Sequence, residues 1–264
     1  MPRPTYGDPM TTDVSIVLAA SRSLPARKHA ALQPDEPLVT AWRASTTTEL
    51  SSYLVRCAGT PEGRPAIIAV DGRGGSGKTT LTSVLTSTVP DAGVLHIDDL
   101  NWNEPLFAWD DLLVAALTEI HRTGALNLTP PAWPAHGRSG ALVIPDGAPL
   151  VVVEGTGAGM RAVADLIDLH VWVQTDDDVA EARGIVRDTE EGVNGDAEET
   201  VAFWHLWMDA ERRFFSEDRP WQRADVIVSG EVLPGMKPGE TAWVEGPLPV
   251  GPVDRTGPAP VVLT

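Results

Sequence analysis

Apolar positions in this chain fall into short solid runs separated by stretches with helical spacing. Ala66-Ile-Ile-Ala-Val70 and Pro149-Leu-Val-Val-Val153 are apolar throughout, as strands buried on both faces of a parallel sheet are. Val94-Leu-His-Ile97, Leu169 to Val173 and Ala224 to Val228 read as three more strands. Between them lie predicted helices over Leu81–Val89, Trp109–His121, Asp177–Arg187 and Thr200–Ser216; in the second, Leu112, Leu113, Ala116, Leu117 and Ile120 form one apolar face. Strands alternating with helices predict an α/β fold with a doubly wound, five-stranded parallel sheet, whose ligands bind at the carboxyl ends of the strands.

The periodicity weakens at both ends. Residues 1–60 read as an N-terminal extension, with a short strand or turn at Val14–Ala20 and an amphipathic helix at 41–57 carrying Trp42, Leu50, Tyr53 and Leu54. Residues 61–232 hold the alternating elements, and 233–264 form a proline- and glycine-rich tail with at most a strand or two near Ala242–Val244. The stretch 125–149, also rich in proline and glycine, is a long connection of the kind that often carries function.

The first solid run ends at Asp71 and enters Gly72-Arg-Gly-Gly-Ser-Gly-Lys78-Thr79-Thr80. Strand, Gly-x-x-x-x-Gly-Lys-Thr and helix in that order specify a phosphate-binding P-loop. Glycines 72, 74, 75 and 77 let backbone N–H groups close on phosphate oxygens, and the following helix directs its positive end at the same anion. Within this reading Gly72, Arg73, Gly74, Gly75, Ser76, Gly77, Lys78, Thr79 and Thr80 bind the nucleotide, with the Arg73 side chain facing solvent. Lys78 reaches the β- and γ-phosphates, and the Thr79 hydroxyl binds Mg²⁺.

A parallel sheet delivers its strand ends to one edge, so Asp98, Asp99 and Glu154 are expected beside the loop. Glu154 is the candidate ligand for Mg²⁺ or its waters. Phosphoryl transfer to an alcohol benefits from a carboxylate that takes the hydroxyl proton, and Asp98 is the favoured base. Asp99 is then a cap or a ligand to metal-bound water. Arg183 and Arg187, one helical turn apart, suit closure over the transferring phosphates. Trp204, Trp207, Phe214 and Phe215 recur at near-helical spacing and read as core.

A net charge of −17 argues against nucleic acid or an anionic membrane as partner. No apolar run approaches a membrane span, and Met1 to Pro9 lacks the pattern of a secretory leader. One cysteine, Cys57, excludes an intramolecular disulfide, fits a reducing cytoplasm and is expected to be buried. No Asn precedes a Lys, so the guanine-reading motif of GTPases is absent.

Three stretches together, Ile68 to Leu81, His96-Ile-Asp-Asp-Leu100 and Val151-Val-Val-Glu-Gly-Thr-Gly157, resemble the uridine kinase-like P-loop kinases. Ala182-Arg-Gly-Ile-Val-Arg-Asp188, Trp207-Met-Asp-Ala-Glu211 and Arg223-Ala-Asp-Val226 are similar to that group's lid and late helix. The resemblance implies a helical lid over an ATP- and Mg²⁺-dependent kinase of a small-molecule alcohol, such as a nucleoside at its 5′-hydroxyl. It implies Asp98 as activator of the acceptor, Glu154 near the metal, and Arg183 and Arg187 as lid arginines. The chain reads Leu100-Asn-Trp-Asn103 where that family commonly has an aromatic pair, and its tyrosines, Tyr6 and Tyr53, both precede the P-loop. Two alternatives stay open: a cytidylate-like nucleoside-monophosphate kinase, and a protein that binds ATP for regulation and transfers nothing. Assembly of several copies is also left open.

Overall fold

The computed structural model describes residues 21–25 and 30–247, so the strand or turn expected at Val14–Ala20 lies outside the described residues. In chain order the strands are β1 (Arg22–Ser23), β2 (Arg43–Thr46), β3 (Ala66–Gly72), β4 (Gly93–His96), β5 (Leu126–Leu128), β6 (Leu142–Ile144), β7 (Leu150–Glu154), β8 (Leu169–Gln174), β9 (Val226–Ser229) and β10 (Glu240–Glu245). The longer helices are α1 (Thr47–Ala58), α2 (Lys78–Thr88), α3 (Asp110–Thr123), α4 (Asp177–Glu191) and α5 (Ala197–Asp218). One sheet runs β1-β2-β10-β9-β8-β3-β7-β4, and β5-β6 form a separate hairpin. From β9 to β4 the five strands are parallel, whereas β10, β2 and β1 add antiparallel strands beyond β9.

All seven residues of β3 and all five of β7 are buried, because helices cover both faces of the parallel part. On one face, Ile68, Val70 and Val152 pack with Leu54 of α1 and Leu81 and Leu85 of α2. On the other, Ile67, Ala69, Val151 and Val153 pack with Leu113, Leu117 and Ile120 of α3. Each fully buried Leu or Ile contributes roughly 1.5–3 kcal/mol through surface removed from water.

Both flanks join this sheet. The segment expected to be helical from residue 41 begins instead with β2, and Thr46 caps α1 through a reciprocal bond with Glu49. Trp42 is buried with Trp172, Phe215 and Trp221 in a third cluster, and the tail's Trp243 packs on Tyr53 with the rings tilted and their centres 4.8 Å apart. Cys57, expected to be buried, is exposed in the last turn of α1, one turn after buried Tyr53.

The α4–α5 hairpin lies over the P-loop edge. Asp196 and Glu199 form a reciprocal cap at the start of α5. The two helices meet where Trp204 lies against Gly184; a Cβ there would sit 2.0 Å from the indole ring, so no larger residue fits without displacing α5.

Candidate functional site

The site forms at the carboxyl ends of β3, β4 and β7. Parallel register sets Glu154 beside Val70 on one side and His96 on the other, which brings the end of β7 between the P-loop and the Asp98 turn. The chain leaves β3 at Gly72, passes through the loop and enters α2 at Lys78. Gly75 has φ +72°, and a Cβ on it would lie 2.1 Å from the carbonyl oxygen of Ala180. Helix α4 therefore abuts the loop directly.

Lys78 is buried, and its Nζ donates to the Arg73 carbonyl at 2.9 Å. Thr79 Oγ1 donates to Glu154 Oε1 at 3.2 Å, and His96 Nδ1 lies 2.8 Å from Glu154 Oε2. The hydrogen bond with Glu154 raises the His96 pKa above the usual imidazole range. Burial pushes Glu154 up, but His96 and the Lys78 charge outweigh it and hold the carboxyl below its usual value. Two oxygen donors, one hydroxyl and one carboxylate, fit a hard cation that completes its shell with phosphate and water. Among the described residues no group of three or more His, Cys, Asp and Glu could cage a metal by itself.

Asp98 and Asp99 sit in a single helical turn, Ile97–Leu100, rather than on a continuing strand. The turn separates them. Asp98 opens to the cleft, yet surrounding protein desolvates it enough to raise its pKa, with Lys78 pulling the other way, Glu154 adding to the rise and Arg187 and His96 opposing it. Asp99, expected near the metal, is instead ion-paired with Arg138, while its carbonyl accepts from Trp133 Nε1 at 2.9 Å. The β5–β6 hairpin, read from sequence only as a long connection, thus supplies the far wall of this cleft. Arg138 lies 3.7 Å from the Trp133 ring centre and 5.4 Å from that of Trp102, and Trp102 meets His136 edge-on.

The lid arginines diverge. Arg183 Nη1 donates to the carbonyl of Gly230, just past β9, at 2.8 Å. Arg187 turns to Asp188 at 2.7 Å, close enough to the cleft for its charge to act on Asp98. Asp188 also accepts from Trp204 Nε1 at 2.7 Å, which ties the two lid helices.

Arg73 departs furthest from expectation. Its side chain is 1% exposed rather than solvent-facing, held 2.6 Å from both Glu36 and Asp177. Burial works against its charge, but Glu36, Asp177 and Glu211 outweigh it and keep the guanidinium pKa above normal.

Three buried carboxylates were not singled out from the sequence. Asp71 accepts from the N–H groups of Gly72, Gly157 and Gly159 at 2.7, 2.8 and 3.0 Å, fastening the turn after β7 to the start of the P-loop. Glu211 accepts from the Gly74 N–H at 2.8 Å and from Trp207 Nε1 at 3.2 Å; burial raises its pKa, against the pull of the Gly74 amide and Lys78. Glu36 lies beneath the loop. Asp71 and Glu211 do fall within conspicuous motifs, but Glu36 carries no local signal. Trp204 and Trp207 are packed as expected, although what they pack on is Gly74 of the P-loop.

A family model described as "Phosphoribulokinase / Uridine kinase family" matches residues 111–231. The uridine kinase of Brevibacillus brevis is 32% identical over 148 residues, covering 49% of this chain and 69% of that protein. The uridine kinase of Streptococcus agalactiae is 27% identical over 146 residues, covering 48% and 70%. A solved structure named as a "possible uridine kinase" from Bacillus stearothermophilus is 15% identical with a TM-score of 0.44, covering 67% of this chain and 96% of that one, too distant a likeness to carry weight. With strand, P-loop and acidic turn assembled at one edge and these relatives beside it, the chain belongs to the uridine kinase family of ATP-dependent phosphotransferases.

Proposed function

We propose that this site transfers the γ-phosphoryl group of ATP to a hydroxyl of a nucleoside-like acceptor, with Asp98 taking the hydroxyl proton. The observation that supports it is the placement of Asp98: an open carboxylate whose pKa is raised by desolvation, facing Lys78 and Arg187 across the strand ends. A carboxylate of raised pKa is, in its ionised form, a better proton acceptor. In this reading the amides of Gly72 to Thr80 cradle the polyphosphate, Lys78 leaves the Arg73 carbonyl for the β- and γ-phosphates, and Arg183 and Arg187 offset charge as the phosphoryl moves. Thr79 and Glu154 would hold Mg²⁺, which neutralises phosphate charge when bound. Asp99 is left out of the metal site because Arg138 occupies it.

The nucleoside acceptor comes from the relatives named as uridine kinases. Trp102 and His136 offer aromatic surface for a base in place of tyrosines, with buried Trp133 behind them under Arg138. One observation favours a second reading, a phosphate-bearing acceptor: Arg138 stands beside the Asp98 turn. Asp99 already neutralises that guanidinium, so the uncharged nucleoside is preferred. No helix among the described residues is long and apolar enough to cross a membrane; the single cysteine fits a reducing compartment such as the cytoplasm.

The test is ATP consumption against a panel of nucleosides, nucleoside monophosphates and sugars. One nucleoside should stand out, with turnover lost in Asp98→Asn while ATP binding persists. A monophosphate as best acceptor would replace the first reading with the second, and turnover that survives Asp98→Asn would remove the assigned base.

A further inference from the structure

The P-loop rests on an ion pair from a part of the chain far from it in sequence. Glu36 is fully buried, and every oxygen of its carboxylate is used. Oε1 accepts from Trp172 Nε1 at 2.9 Å and Gln174 Nε2 at 3.1 Å; Oε2 accepts from Arg73 Nη2 at 2.6 Å and the Gln33 N–H at 3.3 Å. Arg73 completes the arrangement, for its Nη1 reaches Asp177 at 2.6 Å and the Thr175 carbonyl. Asp177 is the first residue of α4, and Ala31 of the same N-terminal segment bonds to Asp176 and Asp177 through its N–H and carbonyl groups. One guanidinium therefore joins three bodies: the phosphate loop, the lid helix and the segment 30–39.

The same residue also faces the site. The Arg73 carbonyl accepts from Lys78 Nζ at 2.9 Å and from the Ser76 N–H at 3.1 Å. Where the side chain is locked, the carbonyl that holds the lysine is locked with it. An ion pair that served stability alone would gain nothing from this placement, since buried pairs are often matched by neutral or apolar substitutes.

We propose that Glu36 and Arg73 are positioning residues for the triphosphate: their buried ion pair sets the curvature of the P-loop and the seat of Lys78, and ties both to the first turn of the lid helix. This rests on the proposed use of ATP at that loop. Glu36 reaches the loop from the N-terminal region, 37 positions before Arg73.

The experiment measures melting temperature without nucleotide, and affinity for a magnesium-bound non-hydrolysable ATP analogue, on the full chain. Glu36→Gln places an amide NH₂ against a buried guanidinium and should lower both. The double variant Glu36→Gln/Arg73→Gln leaves no uncompensated cation, keeps an acceptor for Trp172 and Gln174, and leaves Asp177, which is partly exposed, with Arg212 at 3.8 Å. Its melting temperature should return most of the way, while its affinity stays about tenfold below wild type, as expected for a disturbed but still folded loop. Recovery of affinity together with stability would overturn the proposal and leave the pair a purely structural one. Should Glu36→Gln alone fail to fold, the double variant carries the same test. Absence of analogue binding by the wild type would instead remove the ATP reading on which this rests.

Discussion

The two walls of the cleft are built differently. On the phosphate wall, Asp71, Arg73, Lys78 and Glu211 are all buried and each is bonded to backbone or to an opposite charge. On the wall proposed for the acceptor, Asp98 is open, Asp99 and Arg138 are partly exposed, and Trp133 and His136 come from the β5–β6 hairpin, which pairs with no other strand among the described residues. Buried charges held by opposite charges or backbone groups keep one geometry, because displacement leaves a charge unsatisfied in a poorly solvating medium. The polyphosphate is common to every ATP-dependent kinase and rewards a rigid receptor. The acceptor differs between kinases, and a wall of exposed side chains on a separate hairpin can change without disturbing the sheet.

This contrast can be broken from either side. Asp98→Asn should show the largest effect, a loss of about 10²–10⁴ in turnover with ATP affinity unchanged, measured by steady-state kinetics and analogue titration. Lys78→Ala should act on the other wall, lowering turnover by about 10²–10³ and weakening ATP binding as well. Unchanged ATP affinity there would contradict the division of labour. Arg138→Ala or Trp102→Ala should raise KM for the acceptor roughly tenfold and leave KM for ATP alone, since neither touches the P-loop.

Two pH effects follow from the same geometry. Asp98 must be ionised to accept a proton, and its pKa is raised, so kcat/KM should fall with decreasing pH at a value above the ordinary aspartate range. The limb should be absent from the residual activity of Asp98→Asn. The smallest effect concerns His96 and Glu154. The raised His96 pKa gives stability that is complete below about 6.5 and lost as pH rises through the folded value; the lowered Glu154 pKa gives stability present above about 4.3 and lost as pH falls through its folded value. His96→Ala should therefore cost most between those pH values, and no more than about 1 kcal/mol because the imidazole is substantially exposed. A melting-temperature difference that does not vary with pH would count against the pair.

Local chemistry made the phosphate wall readable. Glycines, Lys78 and Thr79 lie within one continuous stretch, and a strand before it and helix after it fix how they are presented. Glu154 and Asp98 were legible for a related reason, since parallel strands end at a common edge. Asp99 lies away from the expected metal site because the chain turns into a helix at Ile97 and swings that carboxylate towards Arg138. Arg73 was misread because an arginine in a polar loop has no local mark of burial; its partners lie 37 and 104 positions away, at Glu36 and Asp177.

The sequence by itself determined the five parallel strands and the phosphate-binding turn, because periodicity and glycine spacing act over a few residues and need no partner. It pointed to a strand near Ala242–Val244, where β10 lies, but not to β1 or β2, the antiparallel pairing, the buried support under the loop or the β5–β6 wall. Those depend on contacts between residues far apart in the chain, and a carboxylate's role is set by which donor reaches it once the chain has closed.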